Sequence, residues 1–242
     1  QQSKEETKML EISEERIAEL KGKGFLLMRD KEHFNVRFVI PAGCIDAEKV
    51  VKMCEIAKKY GSGLIMPTVR FSLEAPGIKY EDVENVMKEC DEAGIIYGGT
   101  GARVRPVVPC KGTECKWGLI DTQKMGMEIH NAFFPQSAPH KFKINITGCP
   151  NNCAKVQFND LGIMGAPKGM VKIFIGGKAG KTIVEGEEIG RIKAENVLKA
   201  VEICLEFYRA HGKTKGRFCV TLDNMKGTDE YNKFIGDLLA LA

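Results

Sequence analysis

KFKINITGCPNNC, residues 141–153, joins two patterns in one short run. Its first half alternates basic and apolar side chains, the period of a strand. KFKINIT (141–147) therefore reads as a strand with Lys141 and Lys143 on one cationic face. Its second half is a tight polar turn carrying Cys149 and Cys153, three residues between them. An earlier stretch, VPCKGTECKWG (108–118), holds Cys110 and Cys115 with four residues between. Both pairs are flanked by Gly, Pro, Asn, Lys and Thr instead of the apolar periodicity that surrounds a core cysteine. Cys₄ ligation of a [4Fe–4S] cluster suits this ligand set. A structural zinc site, whose cysteines are usually closer together, and no metal at all remain open on spacing alone.

The rest of the composition narrows the class. The chain has 242 residues, 43% of them hydrophobic and 28% charged. That is enough for a sizeable core and is not a disordered composition. A net charge of +4 is spread among interleaved acids, which does not argue for nucleic acid. No apolar run approaches the roughly 20 residues that span a membrane. The first residues, QQSKEETKML, lack the apolar core of an export signal. A cytoplasmic protein is expected, and its nine cysteines are then thiols or metal ligands rather than disulfides. Cys54, Cys90 and Cys204 fall at apolar positions of helical stretches and are expected to be buried small hydrophobes.

Outward from the opening stretch, elements follow from periodicity and punctuation. An exposed helix is expected over 3–21, ended by Gly22 and Gly24. NVRFVI (35–40) reads as a strand and AEKVVKMCEIAKKY (47–60) as a helix capped by Asp46. GLIMPTVRFSLE (63–74) is strand-like with a break near Pro67, and YEDVENVMKECDEAG (80–94) is an amphipathic helix. This β-α-β-β-α order is that of most of a ferredoxin-like unit. After Gly94 the texture turns Gly- and Pro-rich. A helix is expected over 121–134, a strand over 170–177, a strong amphipathic helix over 194–212 and a last helix near 228–241. GGKAGKT (176–182) misses P-loop spacing, because Ile175 stands where the first glycine belongs; a glycine-rich hairpin is the better reading. His130 and His140 read as structural or surface residues.

The run T147-G148-C149-x₃-C153-x₆-D160-L161-G162-I163 resembles the signature of the sirohaem-dependent nitrite and sulfite reductases. PHKFKINITGCPNNC (139–153), RPVVPC (105–110) and PTVR (67–70) are similar to further elements of that family. The resemblance covers roughly residues 30–225. It implies an α+β chain with three parts: an N-terminal helical extension (1–29), a ferredoxin-like half domain (30–95) and a mixed α/β domain binding sirohaem and [4Fe–4S] (96–242). It further implies that Cys110, Cys115, Cys149 and Cys153 ligate the cluster, with Cys153 also bridging to the sirohaem iron. Arg37, Arg105, Lys141 and Lys143 would hold the substrate oxygens. Arg70 would pair with sirohaem carboxylates, with Thr68, Arg103 and Asn152 assisting.

The activity so implied is six-electron reduction of sulfite to sulfide, or of nitrite to ammonia. A non-catalytic Fe–S electron-transfer subunit is the reading from another class, but it has no use for a cage of cations. No second run of closely spaced cysteines is present. Electrons are therefore expected from an external low-potential donor, such as a ferredoxin or a reductase subunit. The larger enzymes of the family contain two copies of the unit, so a homodimer is a further expectation.

Overall fold

The computed structural model describes residues 12–242; of the helix expected over 3–21, positions 3–11 lie outside the described residues. The chain forms two units, residues up to Val39 with Ile45–Thr100, and Ile40–Cys44 with Gly101–Ala242.

The first unit is a four-stranded antiparallel sheet with helices. Its strands are β1 (Phe25–Leu27), β2 (His33–Phe38), β3 (Met66–Pro67) and β4 (Leu73–Lys79), in the order β1-β2-β4-β3. α1 (Glu14–Gly22) is capped by the Ser13 hydroxyl, which accepts the Arg16 N–H. α2 (Ala47–Tyr60) and α3 (Val83–Glu92) bury Met53, Ile56, Val86 and Cys90 beneath the sheet residues Phe34, Val36 and Ile78. The alternation of HFNVRF is strict, with Phe34, Val36 and Phe38 inward. Of the cysteines expected to be buried, Cys90 and Cys204 are, whereas Cys54 is half-buried.

The two strands expected within 63–74, broken near Pro67, are present, but the second runs on to Lys79. β3 is only a stub, and the chain turns at Thr68–Ser72, where the Thr68 N–H donates to the Ser72 carbonyl at 2.8 Å. β4 then continues through Pro76 and Gly77, residues that normally end a strand. They fit because they form a bulge: Phe34 faces Ile78 and Val36 faces Ala75, so two residues oppose Asn35. Gly77 takes φ +87°, which a side chain resists.

The second unit is a mixed five-stranded sheet, β5 (Val108–Pro109), β6 (Ile144–Thr147), β7 (Leu161–Ala166), β8 (Met170–Ile175) and β9 (Glu187–Lys193), in sequential order. β5, β6 and β7 are parallel; β7, β8 and β9 are antiparallel. α4 (Thr122–Phe133) makes the crossover from β5 to β6, as parallel neighbours require. α5 (Val197–His211), α6 (Phe218–Met225) and α7 (Asp229–Leu239) complete the core around Phe142, Ile144, Ile163, Val201, Tyr208 and Phe218.

The expected strand over 141–147 is corrected at its start. Regular pairing begins at Ile144, and β6 is buried at all its positions. Only Lys141–Lys143 alternate, with Phe142 buried between two half-exposed lysines. β6 is a central strand covered on both faces, so it cannot present a cationic face of its own. The hairpin expected at 176–182 is present, with Lys178 and Val184 exchanging backbone hydrogen bonds at 2.8 Å. Within it, a Cβ on Gly177 would lie 2.1 Å from the Gln157 carbonyl oxygen, which explains glycine there by close approach.

Candidate functional site

Two parallel strands deliver the cysteines to one edge of the second unit. β5 ends at Pro109 and passes into Cys110; β6 ends at Thr147 and passes into Gly148 and Cys149. Because the strands are neighbours in parallel register, their carboxyl ends lie side by side, the usual place for a ligand in such sheets. The Cys110 N–H donates to the Ile146 carbonyl at 2.9 Å and extends the pairing into the first cysteine.

Glycines close the site. A Cβ on Gly118 would sit 2.0 Å from the Gly112 carbonyl oxygen, and one on Gly148 would sit 3.3 Å from the Gly112 Cα. This packing lays the loop carrying Cys115 against the turn carrying Cys149; the Leu119 N–H donates to the Gly148 carbonyl at 2.9 Å. The N–H groups of Gly148 and Gly112 point at the Cys110 sulfur, at 3.1 and 3.4 Å. Burial pushes the Cys110 thiol up, but the hydrogen bonds it accepts, led by these two amides, hold the thiol below its ordinary value. From the start of α4, Thr122 Oγ1 and Gln123 Nε2 both donate to the Cys110 carbonyl, at 2.6 and 3.1 Å.

Cys153 is exposed, while Cys110, Cys115 and Cys149 are half-buried. Its turn is shaped by Asn152, at φ +51°, whose Oδ1 accepts the Val156 N–H at 3.0 Å and whose Nδ2 donates to Gln157. Both ends of that side chain are therefore spent on its own turn. From β6, Asn145 Nδ2 donates to the Ala154 carbonyl at 2.8 Å and ties the residue after Cys153 to the sheet.

Among the described residues, no three His, Cys, Asp or Glu side chains already enclose one point where a metal ion would sit. The fit to an iron–sulfur cluster rests instead on the donor set and its frame: four thiols on adjoining turns and amide N–H groups already directed at sulfur. An anionic cluster needs that frame.

A second group of residues lies upstream on the same sheet. Val104 bridges Phe142 in parallel register, both buried. The Arg105 N–H donates to the Phe142 carbonyl at 2.8 Å, and the Phe142 N–H to the Arg103 carbonyl at 3.0 Å. Alternation therefore places Arg103, Arg105, Lys141 and Lys143 on the face opposite the buried pair. The Arg103 Nε is buried and without a hydrogen-bond partner. Burial lowers the Lys141 ammonium below the ordinary lysine value, and the charges of Arg217 and Arg105 lower it further against the opposing Asp160. Burial likewise lowers His140, and Lys141, Arg217 and Arg105 add to it.

Asp160 and Arg217 form a buried ion pair beneath these residues. Arg217 Nη2 lies 2.9 and 2.8 Å from the two carboxylate oxygens, and the Lys143 N–H donates to Asp160 Oδ2 at 2.9 Å. Sequence reasoning left both without a role. Asp160 stood in the quoted motif as a bare letter, and Arg217 lies 57 positions away with no local signal.

In the first unit, Arg37 is engaged by a carboxylate: its Nε and Nη2 lie 2.7 and 2.6 Å from Glu74 Oε1 across the β2–β4 register. Thr68 Oγ1 accepts the Arg70 N–H at 3.3 Å inside the β3–β4 turn. His130, expected to be structural, is buried and stacked on Phe134 with ring centroids 4.5 Å apart.

Residues 100–234 match the family described as the nitrite and sulphite reductase 4Fe-4S domain. Residues 27–93 match the nitrite/sulfite reductase ferredoxin-like half domain. The chain is 37% identical over 126 residues to the coenzyme F420-dependent sulfite reductase of Methanocaldococcus jannaschii, covering 52% of this chain and 20% of that protein. It is 28% identical over 193 residues to a nitrite reductase [NAD(P)H] of Bacillus subtilis, covering 75% of this chain and 24% of that one. It thus spans a quarter or less of the length of these two relatives. The solved structure of the Mycobacterium tuberculosis NirA protein superposes with a TM-score of 0.79 at 15% identity, covering 95% of this chain and 48% of that one.

Proposed function

Because the chain belongs to the nitrite and sulphite reductase family, whose cofactors are a [4Fe–4S] cluster and sirohaem, we propose that it reduces sulfite to sulfide with six electrons from an external low-potential donor. The observation that carries this reading is the cationic face of Arg103, Arg105, Lys141 and Lys143 on the sheet that also delivers the cysteine turns. An electron carrier has no need of an anion cage, so the face favours an enzyme over a non-catalytic subunit. Nitrite is the second reading, favoured by the Bacillus relative; the preference for sulfite follows the more similar archaeal one.

Cys110, Cys115, Cys149 and Cys153 would hold the cluster, with Cys153, the exposed one, shared with the haem iron. When bound, the two groups supply stored electrons and a metal that takes the substrate anion. The protein's own part is binding and protonation. Arg105 offers a fixed, permanently charged donor to the anion oxygens, and Arg103, expected beside the sirohaem carboxylates, adds its charge to the same face. Arginine gives up no proton at working pH. Lys141, its ammonium pushed down by burial and two guanidiniums, is the group able to give one as oxygen leaves as water. Lys143, beside it, holds a substrate oxygen. Arg37, with its fork on Glu74, contributes less of its charge to an anion than these four. Arg70 and Thr68 remain the proposed partners of the sirohaem carboxylates. No helix among the described residues is long and apolar enough to cross a membrane, and nine thiols suit a reducing cytoplasm.

The deciding experiment is an absorption spectrum with iron and acid-labile sulfide analysis on protein purified without oxygen from cells that make sirohaem. A sirohaem band with iron in excess of the cluster, followed by viologen-driven turnover of each anion, supports the reading and picks the substrate. Cluster without haem would sink it.

A further inference from the structure

The Asp160–Arg217 pair is the most buried charge pair among the described residues, with side-chain exposures of 0% and 12%. A buried ion pair is poor stabilisation for the desolvation it costs, so its partners indicate what else it does. The Asp160 side chain accepts the Lys143 N–H, and the next residue, Leu161, donates its own N–H to the Lys143 carbonyl at 3.1 Å. Both main-chain groups of Lys143 are thereby fixed by residues 160 and 161. Arg217, at the start of α6, closes a fork on the same carboxylate, with Nε as a third donor at 3.3 Å. Every contact to the two oxygens is a donor, which is the pattern of a carboxylate and not of an acid. Burial raises Asp160, while Arg217 and the Lys143 N–H counter it.

We propose that Arg217 and Asp160 are positioning residues of the cationic face: their ion pair fixes the Lys143 backbone and sets the charge against which Lys141 lies. This rests on the proposed anion reduction. The charged groups facing Lys141 are Arg105 from the segment before β5, Arg217 from α6 and Asp160 from the start of β7, with His140 alongside. Tyr208 of α5 and Cys219 of α6, which also sense the pair, are both raised by burial and stay neutral, while the Lys143 charge acts on Asp160 with Arg217. Arg217 and Asp160 thus act on Lys141 with opposite signs.

The test uses cofactor-loaded protein and two readouts. Trace acetylation of lysine amines across pH, resolved by mass spectrometry, follows Lys141 without turnover. Arg217→Gln should move its midpoint up, Asp160→Asn should move it down, and Arg217→Lys should leave it in place. In turnover with reduced viologen, Arg217→Gln should lose about 10²-fold in kcat with KM little changed, as a misplaced donor does. Arg217→Lys keeps the charge without the fork and should lose less. An unmoved Lys141 midpoint in both charge-changing variants, or full kcat in Arg217→Gln, overturns the proposal. Where Asp160→Asn does not fold, the two Arg217 variants decide. If wild-type protein reduces neither anion, the enzyme reading fails while the labelling result still stands or falls by itself.

Discussion

Lys141 and Lys143 are two residues apart and are asked for different things. Lys143 is held by its backbone, so its side chain starts from a fixed anchor. Lys143→Ala should keep both cofactors by absorption and lose about 10²-fold or more in kcat, the range a positioned polar group supplies. Loss of the sirohaem band instead would make Lys143 a cofactor ligand. In the proposed reaction Lys141 would carry the pH dependence. Its ammonium is lowered, so the proton it gives is present below that lowered value and gone above it. The kcat profile should therefore fall on its alkaline side before an ordinary lysine titrates. Lys141→Arg keeps the charge but gives no proton, and should lower kcat about 10²-fold while KM stays close to wild type.

At the scale of elements, the cysteine turns depend on a helix start and on a glycine contact. The Asp121 side chain accepts the Lys124 N–H at 3.0 Å and caps α4, whose first residues hold the Cys110 carbonyl. Asp121→Ala should cost about 1 kcal/mol in a denaturant titration. Gly118→Ala places a methyl where the Gly112 carbonyl stands. It should destabilise by about 2 kcal/mol as overpacking does, and lower the iron content by opening the loop that carries Cys110 and Cys115. These elements were unequally legible in the sequence. Strands with one wet face and helices with an apolar stripe were readable, as HFNVRF and VLKAVEICLEFYRAH show. LGIMGA (161–166) was not, because β7 is buried on both faces and has no alternation to read. EEIGRIK (187–193) is mostly exposed and charged, the opposite failure. Pro76 and Gly77 concealed β4 because a bulge is settled by the neighbouring strand. Of the site, the cysteines and lysines announced themselves by spacing. The Asp160–Arg217 pair did not, since only the fold brings them together.

On the scale of the whole molecule, the net charge of +4 matters less than where charge is concentrated. A cationic face that binds a small anion is screened by salt. KM for the anion should rise between low and moderate ionic strength while kcat changes little, measured at fixed pH with a neutral supporting solute as control. Iron removal should act just as locally. Hydrogen exchange should speed up over 110–118 and 148–156, the two cysteine-bearing segments, and stay unchanged over α2 and α3 in the first unit. The order in which the chain is synthesised adds a last consequence. β6 lies between β5, made before it, and β7, made after it. Cys110 and Cys115 therefore leave the ribosome well ahead of the strand that aligns Cys149 and Cys153, and that strand has no second neighbour until Leu161–Ala166 follows. The four thiols therefore gain a common frame only once β7 has been made and β6 is paired on both sides.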